Sequence, residues 1–275
     1  MKNFSRTQLN FVIGFPLIHS QSPFLHNALY KKVGINAFML PVSNKRLVPL
    51  ISAIRVLGIR LTAVTMPFKQ TIIPYLDKVD PKAMAIKAVN TVINKNGKLF
   101  GFNTDIDGIT FALQNQKISD KTVLIIGAGG AARAVAYYVK NKKGKILYLN
   151  RTKNKALLLQ KAFGGKVVGL KDLYQKNIDI LINATPIGAY PKTKALPVPK
   201  EVVKKCECVF DIVYNPLQTS LIKLAHNERI KTISGIEMFI GQALKQIELF
   251  SGKKIAKSQT ENFSRNLLVK HIGNI

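Results

Sequence analysis

The feature that most constrains the fold is an apolar run that leads directly into a glycine-rich turn. Thr122–Ile126 is aliphatic and β-branched, and Gly127, Ala128, Gly129, Gly130 and Ala131 follow it at once. Residues 134–139 then have helical composition. A strand, a glycine-rich turn and a helix in this order are typical of a pyrophosphate-binding unit, because glycine lets the backbone approach the ligand at a helix N-terminus. Glycine also simply makes tight turns, so the neighbouring segments must support this interpretation.

Beyond the turn, short apolar runs alternate with helix-length segments. Strands are predicted at 145–149, 166–168, 178–183, 209–214 and 231–234. Strands that alternate with helices favour right-handed βαβ units and a parallel sheet. The sequence therefore predicts a doubly wound, Rossmann-type α/β domain over residues 106–237.

The first hundred residues predict a second α/β domain with a different sheet. Strands are expected at 11–15, 37–42 and 61–65, and a hairpin is expected where 88–94 and 98–102 flank Asn96-Gly97. From Gly235 on, the apolar residues have helical spacing. We therefore predict a substrate-binding catalytic domain over residues 1–105, completed by C-terminal helices over residues 238–275.

Charge is the most conspicuous feature of the composition. The chain of 275 residues has 42 Lys+Arg and 14 Asp+Glu, which gives a formal net charge of +28. Such a charge is typical of proteins that bind nucleic acid or anionic membranes. However, 34 of the cations are Lys and only 8 are Arg, and the lysines are spread over the whole length. This distribution favours a solvated lysine-rich surface, so no specific nucleic-acid partner is expected.

The cysteines and the apolar runs exclude several other classes. Cys206 and Cys208 have no second cluster with which to form a zinc site or a disulfide framework. No apolar run reaches the length of a membrane span, and the apolar stretch at 11–15 runs into Pro16, unlike a signal peptide. We expect a cytoplasmic protein with reduced thiols, no metal and no membrane association.

The segment after the second predicted strand of the Rossmann-type domain indicates which dinucleotide binds. An NAD site usually places an acid here for the ribose 2′-hydroxyl. This chain instead has Asn150, Arg151, Thr152, Lys153, Asn154 and Lys155. Arg151 can stack on adenine and fork a 2′-phosphate, with Thr152 and Lys155 as further donors, which favours NADP. The alternative is a solvated basic loop.

Two serines suggest a carboxylate site in the first domain. Ser20 and Ser22 are two residues apart, so in an extended segment both hydroxyls point the same way. The alternative is that Ser22-Pro23 caps a following helix, and both interpretations can hold together.

Further polar residues lie where the predicted strands of this domain end. Thr65 and Lys69 follow one strand, Asn90 lies within a β run, and Asp105 follows the hairpin. A lysine can exchange a proton with a carbonyl oxygen when its surroundings tune it. With hydroxyl and amide donors nearby, this set suits a small polyhydroxy acid that carries a reducible carbonyl.

Together these motifs resemble the shikimate dehydrogenase family, whose members are NADP-dependent. The resemblance runs from about residue 14 to residue 242, with its motifs in the family's order. The matching segments are His19–Pro23, Val64–Lys69, Ala88–Thr91, Asn103–Asp105, Gly127–Ala131, Asn150–Thr152, Asn183–Pro186, Asp211–Tyr214 and Gly235–Gln242.

The resemblance implies a reaction and a set of partners. The reaction is the reversible, NADPH-dependent reduction of 3-dehydroshikimate to shikimate, on the pathway to the aromatic amino acids. The implied protein is a monomer or a homodimer. One alternative is a quinate/shikimate dehydrogenase with relaxed substrate or cofactor choice. Another is a non-catalytic ligand- or nucleic-acid-binding relative, against which the presence of both Lys69 and Asp105 argues.

The resemblance also implies a role for each matching residue. Lys69, paired with Asp105, is the implied catalytic acid/base. The implied substrate-binding residues, for the carboxylate and then the hydroxyls, are Ser20, Ser22 and Tyr214, followed by Thr65, Asn90, Asp105 and Gln242. The implied cofactor-binding residues are Gly127–Ala131 at the pyrophosphate, Asn150–Lys155 at the 2′-phosphate, and Ile212 and Gly235 at the nicotinamide.

One departure from the family pattern generates a prediction. The family has Asn where this chain has Ala63, so one amide is missing at the edge of the implied substrate site. A hydrogen bond contributes about 0.5–1.5 kcal/mol. We expect Ala63→Asn to leave the KM for shikimate unchanged or to lower it, as measured by steady-state kinetics. A large loss of activity would mean that the site has been rebuilt around alanine.

Overall fold

Two six-stranded sheets organise the part of the chain that the structure describes, residues 7–18 and 20–273 of a computed structural model. The contacts divide the chain into two units. The first contains the described residues up to Thr104 together with Gln242–Leu267, and the second contains Asp105–Gly241 together with the described residues from Leu268 on. The domain limits expected from the sequence stay a prediction.

The first unit is a mixed sheet with helices between its strands. Its elements in chain order are β1 (Gln8–Gly14), α1 (Ser22–Lys32), β2 (Ala37–Ser43), α2 (Leu47–Val56), β3 (Leu61–Val64), α3 (Phe68–Thr71), β4 (Lys78–Val79), α4 (Pro81–Ile86), β5 (Thr91–Lys95) and β6 (Lys98–Phe102). The strand order is β2-β1-β3-β5-β6-β4. β1 pairs in parallel with β2 and β3, whereas β5 runs antiparallel to both β3 and β6.

The predicted hairpin is present as β5 and β6. Asn96 and Gly97 form its turn with φ of 52° and 84°, the left-handed conformation that tight hairpin turns use. The first strand of the hairpin begins at Thr91 and not at Ala88. Asn90 nevertheless stays in the sheet, because its N–H donates to Phe102 and its carbonyl accepts from Val64.

The second unit is the doubly wound domain that the alternating pattern predicts. Its elements are α5 (Asp105–Ala112), β7 (Thr122–Ile126), α6 (Gly130–Asn141), β8 (Lys145–Leu149), α7 (Lys153–Phe163), β9 (Lys166–Val167), β10 (Ile180–Asn183), α8 (Lys200–Val203), β11 (Cys208–Asp211), α9 (Ser220–Asn227) and β12 (Lys231–Ser234). All its strand pairs are parallel.

The strand order of this sheet locates its ligand crevice. The order is β12-β11-β10-β7-β8-β9, so the chain moves outward from β7 in one direction and then from β10 in the other. Ligands of such sheets bind where the direction reverses, at the carboxyl ends of the strands. The glycine-rich turn lies at this point, because it follows β7 directly.

Helix α10 (Gly235–Ser251) contributes residues to both units, and α11 (Lys257–Gly273) follows it. In the second unit, Gly241 packs on α5, where an added Cβ would lie 2.6 Å from the Cβ of Phe111. In the first unit, Phe250 packs against Tyr30 of α1 with ring centroids 5.9 Å apart.

Strand ends differ from the predictions by up to three residues. The run at 209–214 was expected to be a strand throughout, but β11 ends at Asp211. The Asp211 carboxylate accepts the N–H of Val213 and so turns the chain out of the sheet. Residues 212–214 therefore lie in a loop at the carboxyl end of the strand.

Among the described residues, no helix is long and apolar enough to cross a bilayer.

Candidate active site

A close approach between two loops brings the serine segment to the end of β3. At Gly14, an added Cβ would lie 2.5 Å from Cγ2 of Thr65 and 2.8 Å from the carbonyl oxygen of Met66, so only glycine fits. The N–H of Phe15 donates to the Met66 carbonyl over 3.0 Å, and the N–H of Thr65 donates to Ile13 over 2.9 Å. The loop that leads to Ser20 is thereby fixed beside Thr65.

The backbone geometry around the two serines corrects the argument from the sequence. Gln21, between Ser20 and Ser22, has φ −87° and ψ 0°, so the segment is helical there and the alternation argument for two parallel hydroxyls is wrong. Ser22 is also not the N-cap of α1, because Gln21 occupies that position. Both serines are half-buried, and their role at a carboxylate stays a prediction. His19 of the same motif lies outside the described residues.

Asn90 is buried and fully engaged, as a polar residue inside a sheet must be. Its side chain is 2% exposed. Its Nδ2 donates to Oγ1 of Thr104 over 3.0 Å, and its Oδ1 accepts the N–H of Thr104 at 2.7 Å and the hydroxyl of Thr91 at 2.8 Å. These bonds fasten the end of β6 to the start of β5.

Lys69 lies next to this cluster. It is half-buried on the short helix α3, and its carbonyl accepts the N–H of Val89 over 2.7 Å. That bond places the main chain of Lys69 one residue from Asn90.

Gln242 joins this group through α10, which carries it into the first unit. It is 9% exposed. One helical turn further on, the Gln246 amide contacts Asn90 and Thr91 directly. The first unit therefore contains six of the predicted residues: Ser20, Ser22, Thr65, Lys69, Asn90 and Gln242.

The remaining predicted substrate residues belong to the second unit. Asp105 is the first residue of α5 and is 3% exposed. Tyr214 stacks on Phe239 of α10, with ring centroids 4.7 Å apart and an interplanar angle of 12°. Stacking of this kind fixes the plane of the phenol ring.

At the nicotinamide end, the structure brings Ile212 and Gly235 together. An added Cβ at Gly235 would overlap the Ile212 carbonyl oxygen, so the two backbones pass with no room for a side chain. The predicted pair therefore forms one backbone contact within the second unit.

The glycine-rich turn has the shape that a pyrophosphate requires. Gly127 has φ of +111°, and an added Cβ would lie 3.0 Å from the Ala184 carbonyl. Gly129, in contrast, is exposed and has no atom within 4 Å of an added Cβ, which leaves open space over the start of α6 at Gly130. Free N–H groups and the positive end of the helix dipole face that space, so the turn fits a dinucleotide phosphate.

A cavity of about 810 Å³ extends from this turn along the carboxyl ends of β7, β8 and β10. Its wall includes apolar residues suited to an adenine ring, namely Val167, Val168 and Leu170. Asn150 and Arg151 also line it, and their role in binding a cofactor stays a prediction. The donors at its rim fit a 2′-phosphorylated adenosine, because the Arg151 guanidinium can form two hydrogen bonds to one phosphate.

In the basic segment after β8, the lining of this cavity differs from the predicted donors at three positions. Lys153 lines the cavity, whereas Thr152 and Lys155 do not. Thr152 instead serves through its backbone, as the N-cap residue of α7 and as the acceptor of the Asn150 amide over 2.8 Å. Lys153 and Lys155 lie in the same basic segment, so nothing in the sequence indicated that Lys153, and not Lys155, would line the cavity.

A second buried polar group, centred on Asp211, fixes the loops around the crevice. The Asp211 carboxylate is 0% exposed and accepts from Thr219 Oγ1 at 2.6 Å, Asn183 Nδ2 at 2.9 Å and Val213 N at 3.1 Å. Burial raises the pKa of Asp211 to about 6, against the lowering effect of these three donors. The sequence did not assign Asp211 a role.

Comparison with known proteins now identifies the family. Residues 12–92 match the model of the shikimate dehydrogenase substrate binding domain, and residues 111–213 match that of shikimate / quinate 5-dehydrogenase. The shikimate dehydrogenase (NADP(+)) of Methanococcus maripaludis is 39% identical over 262 residues, 91% of this chain and 94% of the relative. The chain belongs to the shikimate dehydrogenase family.

Other members of the shikimate dehydrogenase family agree with this assignment. The NADP(+) enzyme of Clostridium perfringens is 36% identical over 93% of this chain and 97% of its own length. A crystal structure of a shikimate dehydrogenase in complex with NADP+ matches with a TM-score of 0.87 and 35% identity, over 97% of this chain and 96% of the other. The structure of the Thermus thermophilus enzyme in complex with NADP(H) and shikimate matches with a TM-score of 0.84 and 31% identity, over 94% and 99%. The predicted family and two-domain α/β fold are confirmed.

Asp211 generates a prediction about stability and pH. Its folded-state pKa of about 6 exceeds the ordinary value of 3.8, so the folded protein holds this proton more tightly than the unfolded chain. The tighter binding of this proton adds about 3 kcal/mol to the free energy of unfolding below about pH 4, and this stabilisation is lost as the pH rises through 6. We expect Asp211→Asn to remove this decline. The check is the difference between variant and wild type in the free energy of urea unfolding at pH 4, 5, 6 and 7; a constant difference would contradict it.

Lys153 generates a second prediction. Loss of a charge-assisted hydrogen bond to a phosphate costs about 1.5–3 kcal/mol. We therefore expect Lys153→Ala to raise the KM for NADP at least tenfold while the KM for NAD stays within twofold. Lys155→Ala is the matched control, because that lysine does not line the cavity. If Lys155→Ala had the larger effect on NADP, the assignment from the cavity would be wrong.

Proposed function

We propose that this chain catalyses the reversible reduction of 3-dehydroshikimate to shikimate with NADPH, a step towards the aromatic amino acids. The observation that carries the proposal is the polar group of the first unit, which combines hydroxyl and amide donors with one lysine at the end of β3. The cavity behind the glycine-rich turn supports NADP as the cofactor, because Arg151 and Lys153 line it. Similarity to NADP(+) enzymes over more than nine-tenths of the chain supports both parts.

The proposed mechanism assigns the proton to Lys69. NADPH, when bound, supplies the hydride that adds to the carbonyl carbon. Lys69 donates a proton to the carbonyl oxygen as charge develops there, so that the C=O bond becomes a secondary alcohol. Asp105 orients the ammonium group and accepts a hydrogen bond from a substrate hydroxyl. In the reverse direction Lys69 takes the proton back.

The other side chains position the substrate. Ser20 and Ser22 donate to its carboxylate, with Tyr214 nearby. Thr65, Asn90 and Gln242 hydrogen-bond its ring hydroxyls; a main-chain bond holds Thr65 and side-chain bonds hold Asn90, as described above. Fixed donors favour the correct orientation because little reorganisation is needed when the substrate binds.

The cofactor is held mainly by backbone. The N–H groups of residues 127–131 would hold the pyrophosphate, and Asn150, Arg151 and Lys153 would face the 2′-phosphate. Ile212 and Gly235 lie against the nicotinamide, where the absence of a side chain at 235 keeps the surface flat. This arrangement leaves the redox chemistry to the cofactor and the geometry to the protein.

We further propose that the enzyme acts in the cytoplasm as a monomer or homodimer and without a nucleic-acid partner. Its net charge of +28 then acts through the general potential, which raises the encounter rate with a carboxylate substrate and a polyanionic cofactor. A quinate/shikimate dehydrogenase is the second candidate, since the matched model of the second domain covers both substrates.

Steady-state kinetics that cross shikimate and quinate with NADP and NAD test the proposal. We expect the highest kcat/KM with shikimate and NADP. Comparable turnover of quinate would favour the second candidate, and no turnover with shikimate and NADP would refute the main one. For the mechanism, we expect Lys69→Ala to lose kcat by at least a thousandfold with the KM for NADP unchanged; near-normal kcat would refute the role of Lys69.

A further inference from the structure

A chain of buried polar side chains lies beneath the proposed substrate residues, and the proposed function does not use it. His26 on α1 is 0% exposed, Thr91 on β5 is 0% exposed, and Gln246 on α10 is 1% exposed. Burial of polar groups is costly unless each is hydrogen-bonded, and aliphatic residues would fill the same space without that requirement. The contacts of these three side chains indicate why a polar chain is present.

His26 forms one end of the chain. Its Nδ1 lies 2.8 Å from the carbonyl oxygen of Ser22, and its Nε2 lies 2.9 Å from Oε1 of Gln246. Burial lowers the pKa of His26 to about 4, so no charge is buried at neutral pH. A neutral imidazole carries one N–H, so the ring donates to one of these two oxygens and packs against the other, between the first turn of α1, which carries Ser22, and α10.

Gln246 is the centre of the chain. Its Nε2 donates to Oγ1 of Thr91 over 2.9 Å and to the carbonyl oxygen of Asn90 over 3.3 Å. The Thr91 hydroxyl in turn donates to Oδ1 of Asn90 over 2.8 Å. The amide of Gln246 thus contacts the Asn90 backbone directly and the Asn90 side chain through one hydroxyl.

The residue opposite Thr91 in the sheet is small. Ala63 on β3 pairs with Thr91 across the antiparallel ladder, so the two side chains lie on the same face of the sheet. Ala63 is 5% exposed and contributes only a methyl group. Gln246 of α10 therefore adds a polar contact to Thr91 from a distant part of the chain, alongside the contacts of Asn90 and Thr104.

We propose that Gln246 is a positioning residue for the proposed reaction, which orients Asn90 towards the substrate hydroxyls and, through His26, links Asn90 to Ser22. An amide introduced at position 63 would lie opposite Thr91, within reach of the same hydroxyl. The inference rests on the proposed function, since it assigns Gln246 to that same site.

The Gln246→Met variant tests the role of the amide, because methionine keeps the length and volume of the side chain. We expect the KM for shikimate to rise about tenfold, with the KM for NADP within twofold, because the cofactor cavity belongs to the other unit. Gln160→Met, at a half-buried position on α7, is the matched control and should change neither KM. An unchanged KM for shikimate, or equal changes in both KM values, would overturn the inference.

A second experiment moves the amide and does not depend on how well Gln246→Met folds. In the Gln246→Ala background, Ala63→Asn should recover most of the lost affinity for shikimate, whereas in the wild-type background it should change the KM less than twofold. Thr91→Val should raise the same KM and should add little to Gln246→Met, since both break one chain. Failure of the rescue together with additive effects would overturn the inference.

The two experiments separate this inference from the proposed function. A wild-type chain that neither binds nor oxidises shikimate refutes the proposed function and the inference with it. A wild-type chain that turns over shikimate with NADP, but whose Gln246 variants match it in the KM for shikimate, refutes the inference alone.

Discussion

The hydrogen bonds of Asn90 are the constraint on which the first unit depends. Its backbone continues the sheet through Val64 and Phe102, and its side chain ties Thr91 to Thr104. An amide in this position is tolerated because each of its polar atoms has a partner, whereas an unpaired one would cost about 1–3 kcal/mol. The same bonds set where β6 ends, and Asp105 follows Thr104 directly. Local sheet structure and the proposed chemistry are therefore determined by one side chain.

The second unit uses a carboxylate in the same way. Asp211 ends β11 and gathers Asn183, Thr219 and the N–H of Val213 around itself. Asn183 in turn accepts from the N–H and the hydroxyl of Thr185, which lines the cofactor cavity. Burial of this carboxylate costs free energy, as its raised pKa shows. The carboxylate holds two loops at the carboxyl edge of the sheet, which an aliphatic residue could not do.

Much of this arrangement could be predicted from the sequence, because local patterns determine it. The apolar run 122–126 and the glycines after it specify strand, turn and helix within a few residues, and Asn96-Gly97 specifies a hairpin. The contacts of Gln246 could not be predicted, since they join residues 155 and 220 positions apart and depend on how α10 packs. The predicted geometry of Ser20 and Ser22 was wrong because it depended on a backbone conformation that the sequence pattern does not determine. Alternation holds only in extended backbone, and one helical residue at Gln21 removes it.

The charge shows how little composition says about a site. With 42 cations and 14 acids, most cations have no acid with which to pair. Where acids are present, they form surface ion pairs such as Lys121 with Glu207 and Asp179, which contribute little to stability. What distinguishes Lys69, Arg151 and Lys153 is placement at the end of a strand or at the rim of a cavity. Placement follows from the fold, so the position of a lysine in this chain, and not the number of lysines, decides whether its charge has a function.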